Sequence, residues 1–182
     1  MNLAISLLGV IGSPNATAWN LVGFILPGLC LAVCGAALGK AIDGKRGILW
    51  WLLVLSALTF SGTGVLPAEL DGYRPDFDSL YTRGHVLMSA LSVVFWIPAA
   101  WLMPFRALRN GSWQSTAPAW TVLAILATLG LAVSIFKDYL PLLDEHDGLV
   151  QRISFATYFS WYLYAAYRLV LTSSGPRLAQ LA

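Results

Sequence analysis

His85 and His146 are the two imidazoles of the chain, and carboxylates stand near each of them in sequence. Asp78 precedes the first, while Glu145 and Asp147 flank the second. Imidazole nitrogen with carboxylate oxygen is a donor set that suits zinc, which makes His85, His146 and Asp78 candidate metal ligands. A zinc-bound water held there would hydrolyse a lipid or an amide at a membrane surface. Membrane hydrolases built on such a bundle usually present three histidines, however, and the spacing here matches no recognised ligand signature. Asp144, Glu145, His146 and Asp147 read equally well as a solvated acidic loop. Arg83 and Arg152 lie among the same acids. An arginine inside an apolar stretch is costly unless paired, so Arg152 is expected to pair with Asp78 or Asp147. An anionic headgroup is the other partner such arginines would take.

The residues after His85 repeat its polarity at helical spacing. Ser89, Ser92 and Trp96 follow at i+4, i+7 and i+11, which puts them on one face of a helix. Ser56, Thr59 and Thr63 form a second such stripe, and Ser154 with Thr157 a third. Helices sharing these faces would enclose a small polar cavity. Hydrogen bonding between helices, worth only about 0.6 kcal/mol per contact in membranes, is the plainer explanation. The chain carries no Gly-rich phosphate loop, nucleophile elbow, HExxH or CxxC. Cys30 and Cys34 are four apart on one helix and are expected to be buried free thiols, since a regular helix holds them badly for a disulfide.

The elements that must position these residues follow from composition. Of the 182 residues 58% are hydrophobic and 11% charged, where a soluble domain has about 45–50% and about 25%. That balance excludes a soluble enzyme, a disordered tail and a nucleic-acid binder working through a basic face. A bilayer core about 30 Å thick needs about 20 apolar helical residues. Five stretches qualify: 19–39, 48–66, 86–105, 118–136 and 149–171. The runs are continuous rather than alternating, so a β-barrel fails and an all-α membrane bundle of five spans is predicted, as a single domain. Within residues 1–18 the apolar run Leu3 to Ile11 is too short to span. Ala16, Thr17 and Ala18 have the form of a signal-peptidase site, but no Lys or Arg precedes the apolar run, so an interfacial or re-entrant segment is the better reading.

Trp19, Trp50, Trp51, Trp101, Trp113 and Trp120 fall near span ends, where an aromatic belt is expected. Pro27 and Pro98 should loosen their helices. Gly35, Gly39, Gly62 and Gly64 should let neighbours approach closely.

Five spans sort the charges by side. Lys40, Lys45, Arg46, Arg106, Arg109, Arg168 and Arg177 share one face with Asp43 alone, a net +6. The other face holds four bases, the remaining eight acids and both histidines, a net −4. The positive-inside rule makes the first face cytoplasmic, so the N-terminus is expected outside and the C-terminus in the cytoplasm.

Several of these segments resemble the domain-of-unknown-function family 998. Ile5 to Gly9, then Ser13, Pro14, Asn15 and Ala16, then Trp19, Asn20, Leu21, Val22 and Gly23 resemble the entry into that family's second helix. Gly62, Thr63, Gly64, Val65, Leu66 and Pro67, leading to Gly84 and His85, resemble its Gly-rich helix end and following histidine. Gly148, Leu149, Val150, Gln151, Arg152 and Ile153 resemble its entry into the last helix, with Gln151 where a Glu is typical. The resemblance implies six spans, of which the first is expected to have no counterpart in this sequence. It also implies a bacterial inner membrane protein and no established chemistry.

Two functions stay open on these grounds. The chain is a multi-pass protein that binds a lipid, small ligand or protein partner at its acidic outer mouth, or it is an interfacial enzyme. The candidate polar site comprises His85, Ser89, Asp78, His146, Asp147 and Arg152. Only the enzyme reading involves a cofactor, and that cofactor is zinc.

Overall fold

The computed structural model describes residues 8–72, 74–136 and 147–178. Five long helices carry the fold. The first, α1, is Ala16–Asp43, followed by α2 at Ile48–Val65 and α3 at Leu80–Arg109. A single 3-10 turn, Gln114–Thr116, leads into α4 at Ala117–Phe136, and α5 is Asp147–Leu178. Helices α1 to α3 and the segment Gln114–Ser134 are long and apolar enough to cross a membrane. The architecture is an all-α membrane bundle. The one sheet among the described residues is a two-residue hairpin, β1 Leu70–Asp71 against β2 Arg74–Pro75, turned by Gly72 at φ 61°.

Each apolar stretch lies in a helix, but α1 and α3 run several residues past the charges that bound it. Hydropathy marks the thickness of a bilayer, whereas a helix continues until its backbone is capped. Ser79 caps α3 by accepting from the Tyr81 amide, and Gly44 ends α1 in the left-handed conformation at φ 70°. Pro27 follows a π-helical turn, Leu21–Ile25, inside α1. Proline cannot donate to the preceding turn and crowds it; the wider π turn lies immediately upstream.

Consecutive helices pack against one another and α5 returns to α1, so the five form a closed ring. In lipid the association depends on close packing rather than on hydrophobic expulsion. Small residues supply that packing between α1 and α2. A methyl group at Gly28, Gly35 or Gly39 would come within 2.6, 2.8 or 2.6 Å of Ser61, Leu53 or Trp50. These positions descend one face of α1 while their partners ascend α2, which is an antiparallel register. Gly28 belongs to this stripe although the sequence did not single it out. Gly62 does not belong to it, since its nearest neighbour is the Met88 side chain.

A ring of five helices leaves a wider centre than a bundle of four, and aromatic rings fill half of it. Trp96, Trp120, Trp161 and Tyr162 are buried and join Phe60 and Tyr158 in a continuous stack. Trp113 and Trp120 are therefore core residues, not parts of an interfacial belt. The Trp120 indole donates to Thr116 Oγ1 at 3.0 Å, and its ring packs on Trp161 and Tyr164. Trp51 and Trp101 do reach the outer surface. Cys30 is exposed on α1, contrary to its expected burial, while Cys34 lies near the Tyr162 carbonyl where α1 meets α5.

Candidate functional site

In the other half of the ring the side chains are too small to meet. Ser89, Ser92, Ala127 and Ser154 occupy the depth at which neighbouring layers carry indoles and phenols, and a cavity of about 620 Å³ remains between α2, α3, α4 and α5. It extends along α3 from His85 to Trp96, about 16 Å at 1.5 Å per residue. That is about half the thickness of a bilayer core. Val86, Ala90 and Val94 form one rim at successive helical turns and are exposed, so the cavity opens on the flank beside α3.

The polar stripe His85, Ser89, Ser92 and Trp96 faces this space along its whole length, as do Thr63 and Ser154. Thr59 and Thr157 instead return hydrogen bonds to their own helices. Ser56 donates to the Ser92 carbonyl at 2.9 Å, tying α2 to α3 below the cavity. Ser154 donates to the Gly130 carbonyl at 2.7 Å, tying α5 to α4.

His85 has a structural task. Its Nδ1 lies 2.9 Å from the Thr63 carbonyl and 3.1 Å from that of Leu66. Carbonyls only accept, so Nδ1 carries the proton and caps the end of α2. In the neutral ring Nε2 is then the basic nitrogen. Ser89 lies one turn further along α3 on the same wall.

Polar groups are buried behind the deep end of the cavity. The hydroxyls of Tyr158, Tyr162, Ser56 and Ser92 cluster together there. The Trp96 indole N–H is buried and has no hydrogen-bond partner among the described residues. A buried polar group left this way costs about 1–3 kcal/mol. Tyr158 and Ser134 line the cavity without having been singled out from the sequence, and Gln151, noted there only for replacing a Glu, lines it too.

The acids predicted to join the site divide differently. Asp78 is fully exposed and pairs with Arg83 at 3.4 Å, outside the cavity wall. The expected pairing of Arg152 with Asp78 is not made; Asp78 pairs with Arg83 from the first turn of α3. Arg83 also donates to the Phe77 carbonyl, and Asp76 accepts from the Asp78 amide, so this loop satisfies itself. His146 and the side chain of Asp147 lie outside the described residues, and with them the alternative Arg152 pairing. Among the described residues no three His, Cys, Asp or Glu side chains are grouped to hold a metal ion.

The N-terminal segment folds over the same end of the bundle. Asn20 is buried in α1 and donates to the Gly9 carbonyl at 2.7 Å, and the Ile11 amide donates to Ala68 at 2.9 Å. Thr82 accepts from the Glu69 amide and donates to its carbonyl, fastening the loop after α2 to the first turn of α3. Among the described residues, the chain at this end is tied down by these hydrogen bonds.

No curated protein and no solved structure matches the chain. The segments that build this bundle, from the N-terminal fold-over through most of α5, do match one family model over residues 1–168, and the chain belongs to that family, described as "Protein of unknown function (DUF998)".

Proposed function

We propose that this protein binds a lipid or another small amphiphile in the cavity between α2, α3, α4 and α5. The observation that carries the proposal is the cavity itself. Its volume lies within the roughly 300–1,000 Å³ typical of small-molecule sites, and its walls are apolar and aromatic with a few polar groups converging on it. The imidazole of His85 and the hydroxyl of Ser89 on its wall give a polar atom of the ligand something to meet. Its opening among exposed apolar residues suits a ligand arriving from the membrane.

In this reading α5 spans as the fifth transmembrane helix. Leu149, Ile153, Leu163 and Val170 make its outward face apolar, although its tyrosines and hydroxyl residues lower its hydropathy. The basic end faces the cytoplasm of a bacterial inner membrane and the cavity lies in the outer leaflet, with the N-terminus outside. Lipid extracted from the purified protein and quantified per chain tests the proposal. Wild type should carry stoichiometric lipid that Val93→Phe, which fills the cavity from α3, largely loses. Equal amounts on both would count against it.

One observation favours an interfacial hydrolase as a second reading. His85 is fixed through Nδ1, which leaves Nε2 as a base one turn from the Ser89 hydroxyl. Turnover of a lipid ester that is abolished by His85→Ala and by Ser89→Ala would support this reading. The zinc-assisted version further requires His146 and is tested by elemental analysis of the purified protein.

A further inference from the structure

The opposite end of the bundle carries a second cleft, of about 560 Å³, formed by the loop between α1 and α2 and the last turn of α3. Three cations converge on it: Lys45 from the loop, and Arg106 and Arg109 from the helix. Basic residues at a helix C-terminus are favoured by its dipole, and basic loops by the positive-inside rule. Neither effect requires the three to share one concave site, nor the framework built beneath them.

That framework is specific. Asp43, the lone acid of this face, is buried with its side chain 6% exposed, and its Oδ1 takes Arg106 at 3.5 Å. Gly47 leaves room for the carboxylate, since a Cβ at this position would collide with Asp43 Oδ2. Asn110 donates to the Ile42 carbonyl at 3.1 Å and ties the end of α3 to the end of α1. Arg106 is thus aimed by a buried counter-ion, while Lys45 and Arg109 pair with no carboxylate among the described residues. Arg46 is not part of the cleft; it lies over the Trp50 ring at 5.3 Å.

From this arrangement we infer a binding site for a phosphate group, held by Lys45, Arg106 and Arg109. Three cations against one carboxylate leave a net charge of +2. A fixed guanidinium with two free cations around it matches the several acceptor oxygens of a phosphate. The phosphate belongs either to a phospholipid of the adjacent leaflet, since basic pockets between membrane helices take such headgroups, or to a soluble anion.

The test is titration of the detergent-purified full chain with dihexanoyl phosphatidylglycerol and, separately, with inorganic phosphate. Saturable binding of the lipid that phosphate does not displace identifies a headgroup site. Saturable binding of phosphate alone identifies a soluble ligand. Either supports the site, provided Lys45→Gln with Arg109→Gln weakens it by about tenfold or more. Both residues are exposed and pair with no carboxylate among the described residues, so this double variant should unfold at the wild-type temperature. Arg106→Gln should weaken binding as well, but it also removes the partner of a buried carboxylate. The site is overturned if neither probe binds, or if the double variant is folded and binds as wild type does.

Discussion

With its Nδ1–H shared between the Thr63 and Leu66 carbonyls, His85 holds the end of α2 against the start of α3. His85→Ala should therefore lower the free energy of unfolding by about 1 kcal/mol, the net worth of a hydrogen bond. His85→Asn, which keeps an N–H donor, should recover part of that loss in a denaturation series in mixed micelles. Arg106→Ala should cost more, about 1–3 kcal/mol, because it leaves the Asp43 carboxylate buried and unpaired. The double variant Arg106→Ala with Asp43→Ala should be more stable than Arg106→Ala alone. If instead the two losses add, the pair is not coupled.

Among the elements, the α1–α2 contact is the most sensitive to volume. Gly35→Val should cost about 1–3 kcal/mol, the usual penalty of overpacking, because the added atoms meet Leu53. Gly62→Ala should stay within about 0.5 kcal/mol, since its methyl meets only the flexible Met88 side chain. Thermal unfolding of the two variants side by side separates these cases. The spacing of glycines on α1 was readable from the sequence, but which of them face α2 depends on antiparallel register. Gly28 joins that contact for this reason, while Gly62 on α2 lets Met88 of α3 approach instead. Trp113 and Trp120 show the same limit: hydropathy puts an indole near a span end, and only packing decides whether it turns toward lipid or toward the core.

At the scale of the whole molecule, charge and cavity divide the bundle into two ends. The helical runs and the stripe from His85 to Trp96 were legible because bilayer thickness and helical period each leave a direct pattern in sequence. The cavity was legible only as a polar face. Its existence requires small residues on α3, α4 and α5 to coincide at one depth, and that coincidence belongs to the assembled ring. The acids misled in part, because Asp78 serves its own loop. The proposed orientation predicts which cysteines an impermeant maleimide reaches. With Cys30 and Cys34 replaced by Ala, Asp71→Cys should label in intact cells and Ser112→Cys only after lysis. The reverse pattern would invert the assignment.

The most direct measurement of ligand binding is photo-crosslinking with a phospholipid that carries a diazirine in its acyl chain, at limiting probe in lipid nanodiscs. Peptides containing Ser89 to Trp96 and Gln151 to Tyr158 should be labelled in wild type and lose that label in Val93→Phe. Labelling at Val33 and Leu163, which face outward, should be the same in both proteins. Labelling confined to those outward faces, or cavity labelling that survives Val93→Phe, would contradict a lipid bound inside the bundle.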